Sequence, residues 1–367
     1  MIKRAQIWMA AGTVANAMGL VSTSLVAMAR DPSPLSRQVE AALPPHAGAC
    51  VLAIDGGRVI LEHAYGLADV ETKTPCTPAT NFRMASVSKQ FTATAVMLLV
   101  DRGQLSLDDR LAQFFPGFPE YGNKITVKHL LTHTSGIPPY EDRIPDGTTL
   151  QLDDLDVLHL LMDTKRPRFA AGEKFEYSNS GYALLGLIVE VVSKTPFQEF
   201  MSAEVLRPLG MNDSVLYQRG LNEVPHRAFG HERRDGRWVR ADQSLTSAIR
   251  GDGAIYTSLR DYQKWLRGIE EQQLLTSDSY TAMFSPQVIT DRDRSRYGFG
   301  WFIDEYRGEP RHYHNGDTRG FRLCMQRFPQ RRAALLVQLN NELDGDTALM
   351  TKLGERLADL LIFDRPR

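Results

Sequence analysis

Two short apolar runs lie close together near the beginning of the chain. Ala49–Ile54 and Arg58–Ala64 are separated by Asp55-Gly56-Gly57. Aspartate and glycine favour the backbone of a tight two-residue turn, so this pattern predicts a β-hairpin.

Three further strand-like runs lie in the last third of the chain. Gly298–Ile303, Gly320–Phe328 and Ala333–Leu339 are rich in β-branched and aromatic residues, which is typical of strands. The sequence therefore predicts strands at both ends of the chain.

Helical patterns fill the region between these strands. A helix is predicted from Ser86 to Arg102, with Gly103 as its C-terminal cap. Gly181–Ser193 is apolar on nearly every face, which indicates a buried helix that is too short to cross a membrane. Asp346–Ile362 carries a stripe of leucines, which predicts a final amphipathic helix. The order of elements indicates an α/β (α+β) fold in which both chain ends contribute to one sheet.

Composition narrows the class of protein. The 367 residues include 43 Lys and Arg against 44 Asp and Glu, for a net charge of −1. A protein built around nucleic acid usually has a basic surplus, so we expect no nucleic-acid partner. Three cysteines exclude a disulfide scaffold and allow at most one internal disulfide. Cys50 and Cys76 could form it in an oxidising compartment, whereas Cys324 lies in an apolar run.

The first 29 residues have the pattern of an export signal. Lys3 and Arg4 precede an uncharged stretch that lasts until Arg30, and Ala27-Met28-Ala29 matches an A-x-A cleavage site. We expect cleavage after Ala29 and a periplasmic or secreted protein without stable membrane insertion. The alternative is an uncleaved anchor, since the uncharged run is long enough to span a bilayer.

The first candidate for chemistry is Ser86-Val87-Ser88-Lys89. Residues three apart share a helix face, so Lys89 would lie beside the Ser86 hydroxyl. Burial disfavours a charged amine, which could then accept the serine proton, and a helix N-terminus favours negative charge on the oxygen. An S-x-x-K pattern is expected about once by chance in a chain of this length, so its context decides its value.

Two further motifs follow in the chain. Tyr177-Ser178-Asn179 directly precedes the buried helix, and His314-Asn315-Gly316 lies at a strand end. Each is weak alone, because Y-x-N occurs three times and H-x-G twice in this sequence. Their order after Ser86 is what makes them informative.

Longer segments resemble a known family. The chain is similar to class C β-lactamases and to the related D-alanyl-D-alanine carboxypeptidases and family VIII-type esterases over roughly residues 47–342. The segments that carry this resemblance are Phe82–Ala93, Ile125–Gly136, Phe175–Tyr182, Pro208–Met211, Gly251–Gly253 and Tyr297–Trp301. The resemblance is specific for the superfamily and leaves the substrate open.

The resemblance implies a β-lactamase/transpeptidase-like fold, in which an antiparallel sheet from both chain ends is flanked by helices and a helical subdomain lies across the cleft. The expected units are a signal peptide (1–29), a lead-in (30–46) and a catalytic domain (47–365). Within the catalytic domain we expect a sheet subdomain (about 47–115 and 295–365) and a helical subdomain (about 116–294).

The resemblance also implies catalytic roles for three residues. Ser86 would be the acylated nucleophile and Lys89 its proton partner. Tyr177 would serve as general base and then as general acid. No metal and no organic cofactor is implied.

Substrate binding would fall to four other positions. Asn179 would hydrogen-bond to Lys89 and to the substrate amide. His314 and Gly316 would form the third motif on a strand that lines the cleft. The backbone N–H groups of Ser86 and Asp317 would make the oxyanion hole.

His314 departs from many β-lactamases of this family, which have lysine there. Histidine titrates near pH 6.5, whereas lysine stays charged at neutral pH. We therefore expect an exported serine hydrolase that acts on amide or ester bonds of small acyl or D-amino-acid substrates, including peptidoglycan-derived D-alanyl peptides. The alternatives are a class C-like β-lactamase and a non-catalytic penicillin-binding or sensor module of the same fold.

Other polar residues are expected to be structural. His133 should fix a turn in Thr132–Gly136. Asp153, Asp154 and Asp156 should begin a helix near Leu155, where acidic groups favour the helix dipole. His312 and His314 share a strand face, but the sequence shows no further zinc ligand at suitable spacing. An α/β-hydrolase is excluded, because its G-x-S-x-G motif is absent.

Overall fold

The computed structural model describes residues 33–218, 220–290, 295–343 and 348–365. The expected export signal, residues 1–29, lies outside these ranges. Within them, no helix is both long enough and apolar enough to cross a bilayer.

One large antiparallel sheet dominates the described part of the chain. The described strands are β1 (Gly48–Asp55), β2 (Arg58–Asp69), β3 (Thr74–Pro75), β4 (Phe82–Arg83), β5 (Val215–Leu216), β6 (His231–Arg234), β7 (Arg237–Arg240), β8 (Ile255–Thr257), β9 (Val288–Ile289), β10 (Arg296–Tyr297), β11 (Phe302–Tyr306), β12 (Glu309–Thr318), β13 (Phe321–Phe328) and β14 (Ala333–Leu339). Nine of them form the large sheet in the order β3-β2-β1-β14-β13-β12-β11-β10-β9, so strands from both chain ends meet where β1 pairs with β14. Two small sheets, β4-β8-β5 and β6-β7, lie outside it.

Helices occupy both faces of the sheet and most of the middle of the chain. The α-helices are α1 (Pro34–Ala42), α2 (Lys89–Asp101), α3 (Leu111–Phe114), α4 (Val127–Leu131), α5 (Asp154–Met162), α6 (Asn179–Ser193), α7 (Phe197–Phe200), α8 (Arg250–Gly253), α9 (Leu259–Glu270), α10 (Ser277–Phe284) and α11 (Ala348–Ala358). Short 3₁₀ segments are Ala85–Ser88, Glu120–Lys124, Tyr140–Arg143 and Pro329–Arg331, and π turns are Met201–Leu206 and Asp359–Phe363.

The alternation of side chains along the central strands creates two separate cores. In β1, Leu52 faces the larger core, which also contains Phe91 of α2. Its neighbour Val51 faces the other side, where Leu357 of α11 covers the sheet. Successive residues of a strand point to opposite faces, and here both faces are covered. The fold is therefore a β-lactamase/transpeptidase-like arrangement, with a large antiparallel sheet between helices.

Several elements agree with the sequence prediction. The β1–β2 hairpin turns at Gly56 and Gly57, whose φ angles are 56° and 76°. The buried helix is α6, and ten of its fifteen residues are buried. The acidic cluster begins α5, with Asp153 accepting hydrogen bonds from the N–H groups of Leu155 and Asp156.

One predicted strand was wrong over most of its length. The run Gly298–Ile303 was expected to be a strand, but β11 begins only at Phe302, and the residues before it form a turn in which Gly300 has a φ of 80°. Phe299 and Trp301 are both buried in the larger core. The apolar residues of this run therefore lie in a buried turn. A buried turn and a buried strand can have the same hydrophobic composition, so hydrophobicity alone does not distinguish them.

The expected cysteine pair lies close in space. The buried Cys50 thiol interacts with the Cys76 thiol and donates to the carbonyl of Thr77 at 3.6 Å. Burial raises the pKa of Cys50 well above its ordinary value. Both cysteines are free thiols in this structure, so their pairing stays a prediction.

Gly316 lets strand β12 approach the turn that carries Ser86. A Cβ atom at this position would lie 2.6 Å from the carbonyl oxygen of Met84 and 3.2 Å from the Cβ of Ala85. Ala85 has a φ of 45°, a left-handed conformation that is unfavourable for alanine. The contact between β12 and this strained turn therefore sets the position of Ser86.

We predict that Gly316→Ala displaces Ser86 by pushing β12 away from the turn. The rate at which a fluorophosphonate labels Ser86 should fall about tenfold or more, because small misplacements of reacting groups cost large factors in rate. The control is Gly308→Ala: at this position φ is 80° and a Cβ would meet nothing within 4 Å. Both variants should lose some thermal stability, and an unchanged labelling rate in Gly316→Ala would contradict the prediction.

Candidate active site

Ser86 and Lys89 lie at the junction of a 3₁₀ turn and helix α2. The turn spans Ala85–Ser88, and α2 begins at Lys89. Lys89 Nζ donates to Ser86 Oγ at 3.1 Å. The sequence prediction that the two side chains lie together is therefore confirmed, although Ser86 itself belongs to the 3₁₀ turn.

Three acceptors from three segments surround the Lys89 ammonium group. Besides Ser86 Oγ, Nζ donates to Asn179 Oδ1 at 2.8 Å and to the backbone oxygen of Asp252 at 3.1 Å. The residue is fully buried, and it forms no ion pair with any described residue. Because each of its three N–H bonds has an acceptor, these three contacts fix the direction of the side chain.

Helix α8 is fastened to its neighbours by hydrogen bonds to its backbone. Arg83 donates through Nε to the carbonyl of Gly253 at 3.1 Å, and Thr92 donates to the carbonyl of Gly251 at 2.7 Å. On the other side, Asp154 accepts from the backbone N–H groups of Arg250 and Gly251 and from Arg250 Nε at 2.8 Å. These bonds hold the Asp252 carbonyl against Lys89.

The Tyr177 hydroxyl is buried and has no hydrogen-bond partner among the described residues. Its ring centroid lies 5.0 Å from Lys89 Nζ, so the cation contacts the aromatic face and is not bonded to the oxygen. An unpaired buried hydroxyl is costly. A group that arrives with a substrate could satisfy it.

His133 orients the segment that carries Tyr177. It has a φ of 58°, and its Nδ1 accepts the N–H of Ser178 at 3.1 Å. Its ring lies 4.3 Å from that of Tyr177. The expectation that His133 fixes a turn is confirmed.

His314 is buried, and both of its ring nitrogens have partners within the protein. Nδ1 donates to the carbonyl of Asn315 at 2.7 Å, and Nε2 can then accept from the Tyr297 hydroxyl at 3.2 Å. Contact between His314 and a substrate carboxylate would require one of these bonds to change, and it stays a prediction. In the described ranges, no group of three or more His, Cys, Asp or Glu side chains is arranged to hold a metal ion.

Asp317, whose backbone N–H was expected to form half of the oxyanion hole, follows Gly316 on β12. Its carboxylate is partly exposed and pairs with Arg322 at 2.8 Å. Both Asp317 and Ser86 line the same small cleft. The oxyanion role of their N–H groups stays a prediction.

Two acidic residues of the site had no role assigned from the sequence. Glu141 accepts from Asn179 Nδ2 at 2.8 Å, and the Asp252 carboxylate accepts from the Tyr140 hydroxyl at 3.3 Å. Both line the cleft beside Ser86. Asp252 belongs to a segment that resembled the family, which was the available signal, whereas no motif pointed to Glu141.

The Asp252 carboxyl group lines the cleft, and its pKa lies well above that of an ordinary aspartate. Burial raises the pKa of its carboxyl to about 7, and the negative charges of Asp154 and Glu141 add to this effect. The positive charges of Lys89 and Arg83 oppose it. The charge of the cleft therefore changes near neutral pH.

Comparison with known proteins agrees with this geometry. The profile of the Beta-lactamase family matches residues 37–358. The chain is 30% identical over 310 residues to Penicillin-binding protein 4* of Bacillus subtilis, a match that covers 80% of this chain and 68% of the relative. It is 29% identical to Protein flp of Staphylococcus aureus, of which it spans only 59%.

Solved structures show the same fold. A penicillin-binding protein homologue from Pyrococcus abyssi, described as octameric, superposes with a TM-score of 0.77 at 27% identity, covering 89% of this chain and 75% of that one. D-amino acid amidase from Ochrobactrum anthropi SV3 superposes with a TM-score of 0.75 at 22% identity, covering 90% of this chain and 98% of that one.

Family membership and the geometry of Ser86 and Lys89 support a serine hydrolase of this fold. The family profile covers most of the chain, including all three motifs that were expected to carry the chemistry. The chain belongs to the beta-lactamase family, whose fold is of the β-lactamase/transpeptidase type.

Proposed function

We propose that the protein is a serine hydrolase that cleaves amide or ester bonds of small acyl or D-amino-acid substrates through an acyl-enzyme on Ser86. The observation that carries the proposal is the 3.1 Å contact between Ser86 Oγ and a buried lysine whose position is fixed by two further acceptors. A nucleophile and a proton partner held at this distance are typical of covalent catalysis.

Acylation would proceed as a transfer of one proton and one acyl group. Ser86 Oγ attacks the substrate carbonyl, and its proton passes to the Tyr177 oxygen, which would act as the base in its deprotonated form beside the Lys89 ammonium group. The tetrahedral oxyanion would be bound by the N–H groups of Ser86 and Asp317. Tyr177 would then protonate the leaving group, and water would hydrolyse the acyl-enzyme by the reverse transfers.

Asn179 would connect this chemistry to the substrate. Its Oδ1 accepts from Lys89, and its Nδ2 donates to Glu141. A substrate amide carbonyl could replace Glu141 as the acceptor. Glu141 would then be available for a positively charged group of the same substrate.

The charge of the cleft favours substrates with a free amino group. Three carboxylates line it, those of Glu141, Asp252 and Asp317, and the Asp317 carboxylate is paired with Arg322 at 2.8 Å. The one guanidinium group in the lining, that of Arg83, is directed into the backbone carbonyls of Gly253 and Ser247. A D-amino acid amide or ester carries a cation near its scissile bond, whereas a β-lactam carries a carboxylate that this cleft would repel. The name of the structurally similar D-amino acid amidase agrees with this choice.

The runner-up functions are a class C-like β-lactamase and a non-catalytic penicillin-binding or sensor module. Turnover of nitrocefin above that of a cationic D-amino acid amide would favour the first. Stable labelling by penicillin without turnover of any substrate would favour the second.

We also propose that the protein is exported and cleaved after Ala29. The intact mass of the protein isolated from the periplasm or the medium tests this directly.

Ser86→Ala should abolish covalent labelling by a fluorophosphonate and lower turnover by about 10³-fold or more, because removal of a nucleophile leaves only binding contributions. The measurement is peptide mapping of the adduct. The control is Ser88→Ala, because the buried Ser88 hydroxyl accepts from the N–H of Ile255 and does not contact Lys89. An adduct on Ser88 or Ser135 would overturn the assignment.

Lys89→Ala and Tyr177→Phe should each reduce kcat by orders of magnitude, and the double variant should be little worse than the poorer single one. Residues that act as one proton-transfer unit are strongly non-additive. Tyr121→Phe is the matched control, because this tyrosine also begins a Y-x-N triplet but its hydroxyl contacts the backbone of Leu161. Losses that simply multiply would show that the two residues act separately.

The preference for cationic substrates should increase as pH rises through about 7. Asp252 is mostly protonated at pH 6 and mostly ionised at pH 8, since its pKa is raised to about 7. We compare p-nitrophenyl esters of trimethylammonioacetate and of its uncharged isostere 3,3-dimethylbutyrate. The ratio of their kcat/KM values should rise about fivefold between pH 6 and pH 8, because one more negative charge faces the cation.

Three variants define the source of this charge effect. Asp252→Asn should abolish the rise with pH, and Glu141→Gln should lower the ratio at every pH. His314→Lys, which adds a cation to the third motif, should also lower it. A ratio independent of pH in the unaltered protein would show that Asp252 does not act on the substrate.

A further inference from the structure

A second cavity, the Arg327 cavity, lies at the opposite end of strand β13 from the active site. Arg327 pairs with His312, whereas Leu323 pairs with Gly316 beside the Ser86 turn. Four residues of strand separate the two positions, which is about 13 Å. The cavity encloses about 160 Å³ between α9, the β1–β2 turn and the β13–β14 connection.

Arg327 is buried with little compensation for its charge. The residue is 8% exposed. Its Nη1 lies 3.4 Å from Nδ1 of His312, its Cζ lies 4.7 Å from the ring centroid of Phe284, and its nearest carboxylate oxygen, on Glu270, is 3.9 Å away. Its Nε and Nη2 make no hydrogen bond to any described residue, and neither is among the buried polar atoms that lack a partner, so both are within reach of water from the cavity. Two donor groups of this guanidinium are therefore not satisfied by the protein.

Two other buried arginines, Arg250 and Arg311, each have close carboxylate partners. Arg250 pairs with Asp154 at 2.8 Å and with Glu190 at 3.1 Å, and Arg311 pairs with Asp304 at 2.7 Å and with Glu355 at 3.0 Å. For both, the neighbouring carboxylates raise the pKa above its ordinary value.

Burial without such partners has the opposite effect on Arg327, and lowers its pKa to about 10. The neighbouring His312 cannot supply a negative charge, and burial together with Arg327 lowers the pKa of its imidazole to about 3. Tyr262 and Tyr280 also face Arg327, and burial raises the pKa of each, so both are neutral near pH 7.

The cavity as a whole lacks one negative charge. Its lining contains three guanidinium groups, of Arg267, Arg327 and Arg332, and two carboxylates, of Glu270 and Glu271. Glu270 is already paired with Arg332 at 2.8 Å through its other oxygen. One carboxylate is therefore placed between two guanidinium groups, and a single anion would restore the balance.

Apart from Gln263, the remaining residues of the cavity wall are apolar or glycine. Leu266 of α9, Ala334 of β14 and Ile54 of β1, which belong to the larger core or pack against it, line it. A fully hydrated phosphate would gain nothing from such a wall, whereas an organic body would bury apolar area there. Charge and wall together define one class of ligand.

We propose that the Arg327 cavity binds a small organic monocarboxylate, whose carboxylate lies against Arg327 and Arg332 and whose apolar body packs on Leu266 and Ile54. Arginine typically binds a carboxylate through two parallel N–H donors. Nε and Nη2 of Arg327, which make no hydrogen bond to any described residue, can supply such a pair. The site does not involve Ser86 and does not rest on the proposed hydrolase function.

The test is isothermal titration of the full-length protein at fixed salt with benzoate, with benzyl alcohol as the neutral ligand of similar shape and with inorganic phosphate. Benzoate should bind saturably, and at least tenfold more tightly than either comparison ligand, because a charge-assisted contact is lost with one and the apolar contact with the other. Equal affinities for benzoate and benzyl alcohol, or tighter binding of phosphate, would overturn the proposal.

Three variants locate the binding. Arg327→Met should weaken benzoate binding about tenfold or more and should not lower the melting temperature much, because it removes a buried charge that lacks a close partner. Arg332→Met, at a side chain that is 62% exposed, should weaken binding without risk to folding. Arg237→Met, on the distant β6–β7 hairpin, is the control and should bind as the unaltered protein does. Benzoate affinity that is the same in the unaltered protein and in Arg332→Met, or in Arg327→Met if that variant folds, would place binding elsewhere and refute the site.

Discussion

A buried ammonium group holds the active site together. Transfer of a charged amine from water costs several kcal/mol unless hydrogen bonds replace the lost hydration. In this protein the replacement comes from Ser86 in the 3₁₀ turn, from Asn179 at the start of α6 and from the Asp252 backbone in α8. These segments are far apart in sequence, and Lys89 is fully buried only if all of them are in place. The same contacts that lower the cost of burial also bring the reacting groups together.

The support of this ammonium extends outward through a second set of polar contacts. Asp252 contacts Lys89 through its backbone and Tyr140 through its side chain, so it links the nucleophile to the wall of the cleft. Asp154 holds α8 in place, because its carboxylate accepts hydrogen bonds from two backbone N–H groups of α8 and from the Arg250 side chain. From the sequence, Asp154 was one of three acidic residues at a helix start. In the structure it is fully buried, and its pKa is raised by that burial.

The sheet supplies the other wall of the site. Its two faces are covered by separate cores, so β12 cannot tilt without disturbing both. Because Gly316 has no side chain, β12 can lie close to the carbonyl of Met84. Met84 directly precedes Ala85, which has a strained backbone conformation. A second consequence of the two-sided sheet is that its far end encloses the Arg327 cavity, where a buried guanidinium group faces an apolar wall.

The sequence by itself determined the elements that depend on local patterns. The β1–β2 hairpin, the buried helix α6, the strands β13 and β14 and the turn at His133 follow from apolar runs and from glycine or polar residues at fixed positions. The proximity of Ser86 and Lys89 also follows locally, because three residues make nearly one helical turn. The tertiary structure decided what depends on residues far apart: the turn at Gly298–Trp301, the acidic groups Glu141 and Asp252 beside the nucleophile, and the weakly paired Arg327. The burial of a side chain and the electrostatic field acting on it depend on neighbours from many segments of the chain. A local sequence pattern therefore cannot predict them.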